Sequence, residues 1–593
     1  MKNFFTSLFG SLLGSLLAII LVLFIVAGLI GSFFSGIMKL ESKTKTPLSA
    51  SVLCLKLDKK IPERTSKSPF DNFSFGSLST EIPIGLNDIL AELKEAKGDD
   101  HVKGIFLELS SVPAGSAMLE EIRNALLDFK KSKKFIISYG ETYTQGAYYI
   151  ASVSDKVYLH PAGLIEWKGL SAQIMFYKGL LDKLDVSVQI FRHGKFKSAI
   201  EPFDLDKMSE ANRLQTLGYV SAIWNHLCEG VAAERNISIG ELNRLADGLL
   251  VHSASDALVN KLADELLYKD EVLDRINKLL KNKENEKINF VTIEAYRQAP
   301  KKIESGEGGR KKIAVIYAVG EIQSGEGDDS NIGSERISKA IRDARLDASI
   351  KAIVLRVNSP GGSALASDVI WREVTLAKAA KPVVVSMGDV AASGGYYIAC
   401  AADRIFAQPN TITGSIGVFG ILPNVQKLLN NKLGITIDTV KTNRHSDLGS
   451  LYRPVTPEER IYILNGIQQV YAEFITKVGA GRHLDTARVD SIGQGRVWSG
   501  TDGKAIGLVD ELGGINEAIA CAAKMAKLEQ YKIISLPVQK SALSALFSDL
   551  TTEEQTNMLK TVMGESYLHY LQLKSLTQAK GVQARIPYDV FFN

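Results

Sequence analysis

Short apolar runs alternate with amphipathic segments along most of the chain. In the second half, residues 314–319, 352–357 and 383–386 are aliphatic or β-branched, which predicts buried strands. Between them, residues 336–345 and 367–379 have apolar positions at helical spacing. Strands that alternate with helices are typical of βαβ units. The pattern therefore predicts an α/β fold around a mainly parallel sheet.

The amino terminus has a different pattern, because residues 3–38 contain no charged side chain. A membrane-spanning helix needs about 20 consecutive apolar residues, and this run is longer. It predicts an uncleaved membrane anchor, with a cleaved signal peptide as the alternative. Lys39, Lys43 and Lys45 follow the run and only Lys2 precedes it. By the positive-inside rule, taken alone, this charge bias favours a cytoplasmic body.

The rest of the chain contains two copies of one domain. The run Tyr396-Tyr397-Ile398 repeats Tyr148-Tyr149-Ile150, and Pro409 repeats Pro161, at an offset of 248 residues (409 − 161). Two further pairs of segments match: residues 350–364 with 102–117 at the same offset (350 − 102 = 248), and residues 312–322 with 51–61 at an offset of 261 (312 − 51). Repetition at a fixed offset indicates a duplicated structural unit.

These repeats predict the domain organisation. A charged, glycine-rich segment at residues 301–312 has the composition of a solvated linker. Residues after about 540 have no counterpart in the first copy. We expect four parts: a membrane anchor at 1–45, a first copy at 46–300, a second copy at 301–540 and a carboxy-terminal extension at 541–593.

Composition limits the classes of partner and cofactor. Of 593 residues, 45% are hydrophobic and 23% charged, which is typical of a globular protein. The net charge of +4, from 70 basic and 66 acidic residues, gives no reason to expect nucleic acid as a partner. The four cysteines lie far apart without metal-ligand spacing, so neither a zinc site nor a disulfide framework is expected. We expect no cofactor.

The two copies differ at a position that can carry chemistry. Ser393 lies in ASGGYYIA, between a predicted strand and a buried helix, and Gln145 takes its place in the first copy (393 − 248 = 145). A serine at a helix start, followed by Gly394, has the setting of an acyl-transfer nucleophile beside a backbone oxyanion donor. A tight turn of small residues is the structural alternative. On composition alone, Ser359 and Ser363 are rival nucleophiles.

A serine nucleophile needs a base within hydrogen-bonding reach. None of the eight histidines lies between residues 354 and 420, the region expected to surround Ser393. Lys197, in HGKFKSAIEPF of the first copy, aligns with Ser446 in the second. A lysine can act as a base if burial lowers its pKa from about 10.4. Because each copy lacks one group, we predict a composite site of Ser393 and Lys197, with Lys195 as the competitor for the base.

Glycines near the predicted nucleophile are candidate oxyanion donors. The loop VNSPGGSA contains Gly361 and Gly362, whose backbone N–H groups are expected to act with that of Gly394. Ser415, in NTITGSIGVFG, is a candidate to hold the amine of the base in place. Simple turn roles are equally compatible with these loops.

Taken together, five motifs resemble those of the signal peptide peptidase A family, which are membrane-bound Ser/Lys peptidases. The motifs are GKFKSAIEPF, VNSPGGSA, GDVAASGGYYIA, TITGSIGVFG and GRVWSGTDGKAIGLVDELGG. The resemblance is to the long form and covers nearly the whole chain after the anchor. It implies two tandem ClpP/crotonase-like repeats of βαβ units behind an N-terminal transmembrane helix. It also implies Ser393 as nucleophile, Lys197 as general base, Gly394 as oxyanion donor and Ser415 in support.

The resemblance further implies a membrane-anchored serine endopeptidase that degrades remnant signal peptides and other small hydrophobic peptides. It implies a homotetramer with an enclosed cavity. Family members of this form have a single inner-membrane span and a periplasmic body. This differs from the cytoplasmic body that the lysines flanking the apolar run favour. Two other classes stay open from the residues alone: a crotonase-like acyl-CoA enzyme and a non-catalytic membrane scaffold.

Overall fold

The computed structural model describes residue 14 and residues 50–66, 83–283, 286–299, 311–539 and 583–585. The predicted anchor lies outside these residues except for residue 14, and so does most of the predicted carboxy-terminal extension. Among the described residues, no helix combines the length and the apolar character that a membrane span requires.

The first copy folds around a parallel sheet with helices packed against it. Its elements in chain order are β1 (Ser51–Leu55), α1 (Leu86–Gly98), β2 (Val102–Glu108), α2 (Ser116–Lys130), β3 (Phe135–Tyr143), α3 (Gln145–Ala151), β4 (Lys156–Ile165), α4 (Lys178–Lys183), β5 (Ser187–His193), α5 (Glu201–Asp204), α6 (Glu210–Arg235), α7 (Ile239–Asp247), α8 (Ala254–Val259), β6 (Glu265–Leu266), α9 (Lys269–Leu280), β7 (Phe290–Thr292) and α10 (Ile293–Gln298). The strand order is β6-β4-β3-β2-β1-β7, and every pair is parallel.

The second copy repeats this arrangement. Its elements are β8 (Lys312–Val319), β9 (Glu321–Gln323), β10 (Asn331–Gly333), α11 (Ser334–Leu346), β11 (Ile350–Ser359), β12 (Gly361–Ser363), α12 (Ala364–Ala380), β13 (Val383–Ala392), α13 (Gly394–Ala399), β14 (Arg404–Ala407), β15 (Ile412–Gly414), β16 (Val418–Asn424), α14 (Pro457–Arg482), α15 (Thr486–Ile492), β17 (Val497–Ser499), α16 (Gly500–Ala505), β18 (Glu511–Leu512), α17 (Ile515–Met525), β19 (Lys532–Leu536) and, near the carboxy terminus, β20 (Gln583–Arg585). Its main sheet has the order β17-β15-β13-β11-β8-β19, with β14 beside β13. The strands and helices predicted in this half are β8, β11, β13, α11 and α12, which confirms the α/β prediction.

One predicted boundary is wrong. The Gly388-Asp389 pair predicts the end of a strand, but β13 continues to Ala392. Tertiary contacts override the local signal: β13 pairs with β14 in its first half and with β15 after Asp389. The Asp389 carboxylate accepts hydrogen bonds from the backbone N–H groups of Ala117 and Met118 in α2, at 2.9 and 3.1 Å. The longer strand leads directly into Ser393.

A third sheet joins the two copies. Its order is β10-β9-β12-β20-β16-β5, so it contains one strand from the first copy and five from the rest of the chain. β5 pairs antiparallel with β16, from His193 opposite Val418 to Ser187 opposite Asn424. β20 pairs antiparallel with both β12 and β16. The copies therefore share a continuous hydrogen-bonded sheet.

The copies also share a hydrophobic core. Buried side chains of the first copy, such as Leu107 and Ile122, cluster with Val315, Val354 and Ile515 of the second. Since burial of each such side chain contributes about 1.5–3 kcal/mol, this joint core holds the copies as one body.

A buried ion cluster lies at the same interface. Arg356, on β11, is 0% exposed. Its Nε donates to Glu63 Oε2 at 2.9 Å and its Nη2 to Glu121 Oε1 at 2.6 Å, and both carboxylates belong to the first copy. Burial raises the pKa of the nearby Asp389 carboxyl, and the charge of Glu63 adds to the rise. One guanidinium thus pairs with two buried carboxylates of the other copy at this interface.

Replacing Arg356 with methionine should lower the free energy of unfolding by about 3–5 kcal/mol, because two buried carboxylates lose their cation. Urea denaturation followed by circular dichroism measures the change. Arg213→Met, at an exposed position of α6, should stay within about 0.5 kcal/mol of the wild type. Adding Glu63→Gln and Glu121→Gln to the Arg356→Met protein should restore part of the loss. An Arg356→Met protein as stable as the wild type would contradict this account.

Candidate active site

Ser393 lies between β13 and α13 in a strained backbone conformation. Its φ and ψ angles are 56° and −114°, a region that residues with a Cβ rarely adopt. Its N–H donates to the carbonyl of Gly414 at 2.8 Å, and its own carbonyl accepts from the Tyr397 N–H at 2.8 Å. The side chain is 0% exposed. The surrounding backbone thus holds this serine in one orientation at the carboxyl end of a parallel strand.

Lys197 reaches Ser393 because β5 and β16 are paired. β5 ends at His193, opposite Val418, and Lys197 follows shortly afterwards in the chain. The neighbouring Phe196 N–H donates to the carbonyl of Gln494 in the second copy at 2.8 Å. Lys197 is 1% exposed, and its Nζ lies 2.7 Å from Ser393 Oγ. The structure therefore brings together the two residues that the comparison of the copies selected.

Ser415 completes the surroundings of the amine. Lys197 Nζ lies 3.0 Å from Ser415 Oγ and 3.2 Å from the Ser415 carbonyl oxygen. The Ser415 N–H donates to the carbonyl of Arg496 at 2.7 Å, which fixes the loop. On the other side, Ser393 Oγ lies 3.4 Å from the carbonyl oxygen of Gly417. The amine is thus held between two hydroxyl groups, within hydrogen-bonding distance of each.

Gly495 makes room for the lysine and was not singled out from the sequence. A Cβ at this position would lie 2.6 Å from the backbone nitrogen of Lys197 and 2.7 Å from its Cα, and the φ angle is +78°. Only glycine tolerates both the contact and this conformation. Gly495 begins the motif GRVWSGTDGKAIGLVDELGG. The sequence alone does not predict its contact with Lys197, because the two residues lie far apart in the chain.

The predicted oxyanion donors fall into two groups. Gly394 is the first residue of α13 and follows Ser393 directly. Gly361 and Gly362 form β12, where the Gly361 N–H donates to Ser359 Oγ at 3.1 Å. The loop is nevertheless close to the helix start, because a Cβ on Gly395 would lie 2.7 Å from the Ser359 carbonyl oxygen. The Gly361 N–H is thus already used in a hydrogen bond to Ser359 of the same loop.

The rival residues have other roles. Ser359 Oγ accepts the Gly361 N–H, and Ser363 Oγ accepts the Ala366 N–H at 3.3 Å as the amino-terminal cap of α12. Lys195 is exposed, with its Nζ 5.7 Å from the centre of the Phe196 ring. Both serines are therefore engaged with backbone N–H groups of their own loop, and Lys195 lacks the burial that Lys197 has.

In the first copy, Gln145 occupies the position equivalent to Ser393, and its side-chain amide binds the backbone. Gln145 Oε1 accepts the backbone N–H groups of Lys168 and Gly169 at 2.9 and 2.8 Å. Its Nε2 donates to the carbonyl of Gly169 at 3.0 Å. All three bonds tie α3 to the following loop. The first copy thus uses this position to hold its own backbone.

No group of three or more His, Cys, Asp or Glu side chains is arranged to hold a metal ion in the described ranges.

Comparison with known proteins identifies the family. The model of peptidase family S49 matches residues 128–283 and 375–529, one match in each copy and together more than half of the chain. The chain belongs to peptidase family S49. A Clp protease model also matches residues 317–413, which include the Ser393 region.

Relatives that align with most of this chain are named as proteases. It is 38% identical to Protease 4 of Salmonella typhi over 520 residues, which are 86% of this chain and 82% of that protein. It is 32% identical to the chloroplastic serine protease SPPA of Arabidopsis thaliana over 514 residues, 86% of this chain and 75% of that protein. ClpP1 from Listeria monocytogenes aligns with 34% of this chain and 91% of its own at 18% identity, with a TM-score of 0.22.

The S49 protein is a serine peptidase, so the predictions of family and enzyme class are confirmed. The two S49 matches also confirm the tandem repeat. An acyl-CoA enzyme and a non-catalytic scaffold are both excluded as its class by this assignment.

Proposed function

We propose that this S49 peptidase works with a Ser393–Lys197 dyad assembled from both copies. The observation that carries the proposal is the 2.7 Å distance between Ser393 Oγ and Lys197 Nζ inside a buried site. Strain at the Ser393 backbone supports it, because strained residues concentrate at active sites. Burial also favours the neutral form of an amine, which is the form that can accept a proton.

In the proposed mechanism, the Lys197 amine takes the proton of Ser393 as Oγ attacks the peptide carbonyl. The tetrahedral oxyanion forms beside the start of α13, where the Gly394 N–H donates to it. The Lys197 ammonium then protonates the leaving amine as the C–N bond breaks. A water molecule, deprotonated by Lys197, hydrolyses the acyl-enzyme and restores the serine. The carbonyl oxygen of Ser359, which precedes the Gly361-Gly362 loop, lies next to Gly395 at the start of α13.

Ser415 has the role of holding the lysine amine in the direction of Ser393. Ser415→Ala removes one hydrogen-bonding partner of Nζ, while the Ser415 carbonyl oxygen stays in place. We expect kcat to fall by about 10- to 100-fold with little change in KM, less than loss of the base itself. Steady-state hydrolysis of a peptide ester measures both constants. Ser446→Ala is the matched control, because Ser446 is an exposed serine of the same copy at the position that aligns with Lys197. It should leave kcat and KM unchanged.

We infer further that the substrates are extended apolar peptides, including remnant signal peptides. Because Ser393 and Lys197 are both buried, the surface of a folded protein has poor access to them. The apolar run at residues 3–38 supports a single membrane span. The family resemblance supports an inner-membrane location, a periplasmic body and a homotetramer. Cleavage of a signal peptide, compared with cleavage of a tightly folded protein of similar composition, tests the substrate class.

A serine-reactive fluorophosphonate tests the dyad directly. We expect mass spectrometry of the labelled protein to find the adduct on Ser393 and no adduct in the Ser393→Ala protein. Lys197→Met should slow the labelling strongly, since the nucleophile loses its base. An adduct on Ser359 or Ser363 in place of Ser393 would contradict the proposal.

A further inference from the structure

A buried amide touches both sides of the segment that carries Lys197. Gln215, on α6, is 2% exposed. Its Nε2 donates to the carbonyl of Phe196 at 3.0 Å and to Ser198 Oγ at 2.7 Å. These are the residues immediately before and after Lys197. One side-chain amide therefore determines the path of the backbone on both sides of the proposed base.

The same amide also reaches the second copy. Its Oε1 accepts the backbone N–H of Val497 at 3.2 Å. Val497 pairs with Gly414 across β17 and β15, and the preceding Arg496 carbonyl accepts the Ser415 N–H at 2.7 Å. Gln215 thus connects the Lys197 segment of one copy to the strand that holds the Ser415 loop of the other.

Other buried polar groups fix Gln215 itself. Glu201 accepts hydrogen bonds from Ser209 Oγ at 2.6 Å and from Asn212 Nδ2 at 2.9 Å. Asn212 Oδ1 in turn accepts from Thr216 Oγ1 at 3.2 Å and lies 3.4 Å from Gln215 Nε2. A buried amide costs about 1–3 kcal/mol for each polar group left unpaired, so the network permits only one placement of the Gln215 side chain.

We infer that Gln215 is a positioning residue, which sets the Lys197 amine against Ser393 by holding its backbone on both sides. The inference rests on the proposed function of the dyad. The alternative is that Gln215 only stabilises the packing of α6 on the loop. If Gln215 positions Lys197, loss of its amide lowers kcat. If Gln215 only stabilises the packing of α6, loss of its amide lowers only the stability.

Gln215→Met keeps the length of the side chain and the helix propensity but removes the amide hydrogen bonds. We expect kcat to fall by about 10- to 100-fold, because small displacements of catalytic groups have effects of this size, with KM within about twofold. Hydrolysis of a peptide ester measures the split between the two constants. Trp224→Phe is the matched control: it removes a hydrogen bond from the same helix, donated by Trp224 Nε1 to Asn243 Oδ1 of α7 at 2.7 Å, outside the network around Gln215.

Gln215→Glu adds a readout that a purely structural role would not produce. The carboxylate keeps the acceptor for Val497 but brings negative charge beside the Lys197 segment. Negative charge favours the ammonium form, so the acidic limb of the kcat/KM profile should move to higher pH by about one unit. The same profile of Trp224→Phe should coincide with that of the wild type.

The outcomes separate this inference from the proposed function. If Gln215→Met and Trp224→Phe lower kcat equally, in proportion to their loss of stability in urea, the positioning role is wrong. A fully active Gln215→Met protein with an inactive Lys197→Met protein would overturn the inference and leave the dyad intact. A fully active Lys197→Met protein would overturn the dyad itself.

Discussion

Replacing Ser393 with alanine should lower kcat for a peptide ester by at least about 10⁴-fold. The hydroxyl is the group that forms the acyl-enzyme, and loss of the nucleophile from a serine peptidase costs more than this in comparable enzymes. The residual rate would come from substrate binding and the oxyanion donor. Because the side chain is small and its backbone is held by Gly414 and Tyr397, the variant should fold normally.

Steady-state kinetics with purified protein measures this loss, and urea denaturation checks the fold. Ser359→Ala and Ser363→Ala are the matched controls, since both serines lie in the neighbouring loop and bond to backbone N–H groups. They should keep kcat within about tenfold of the wild type. A Ser393→Ala protein with a tenth or more of the wild-type rate would refute the assignment of the nucleophile.

Replacing Lys197 with methionine should lower kcat by about 10³-fold or more at neutral pH. Methionine fills similar space in the buried site but cannot accept the Ser393 proton, and general bases contribute about 10²–10⁴-fold. Lys197→Arg should not restore activity, because a guanidinium stays protonated and its planar shape differs from that of an amine. Lys195→Met, at the exposed neighbouring lysine, should behave as the wild type.

The double variant gives the sharper result. Residues that act as a unit show strongly non-additive losses, so Ser393→Ala combined with Lys197→Met should be no slower than Ser393→Ala alone. The same peptide ester and the same pH serve for all three proteins. Losses that multiply in the double variant would indicate two independent contributions and would contradict a dyad.

Much of the second copy could be predicted from the sequence. The strands β8, β11 and β13 are apolar runs bounded by turn residues, and such runs carry their own signal. The two residues of the proposed dyad could be chosen from the sequence for a different reason. Packing positions agree between the copies, whereas Gln145 stands opposite Ser393 and Ser446 opposite Lys197. The difference between duplicated segments isolated the chemistry.

The features that were missed depend on contacts between distant segments. Neither β5 nor β16 has a sequence pattern that identifies the other strand as its partner, so the third sheet was not predicted. β13 continues past Gly388-Asp389 because the Asp389 carboxylate accepts backbone N–H groups at the start of α2 in the other copy. Rules based on neighbouring residues cannot predict such a contact. Gln215 and Gly495 are ordinary in their own surroundings and gain importance only beside the Lys197 segment.

The shared sheet of β5 and β16 has a consequence for the timing of synthesis. Lys197 and Ser393 are 196 residues apart. At about 5–20 residues per second, the ribosome adds the serine roughly 10–40 s after the lysine. During that interval the first copy has no nucleophile, and the second copy still has to form β16 beside β5 afterwards. With the proposed dyad, a nascent chain therefore has no complete active site until β16 has paired with β5.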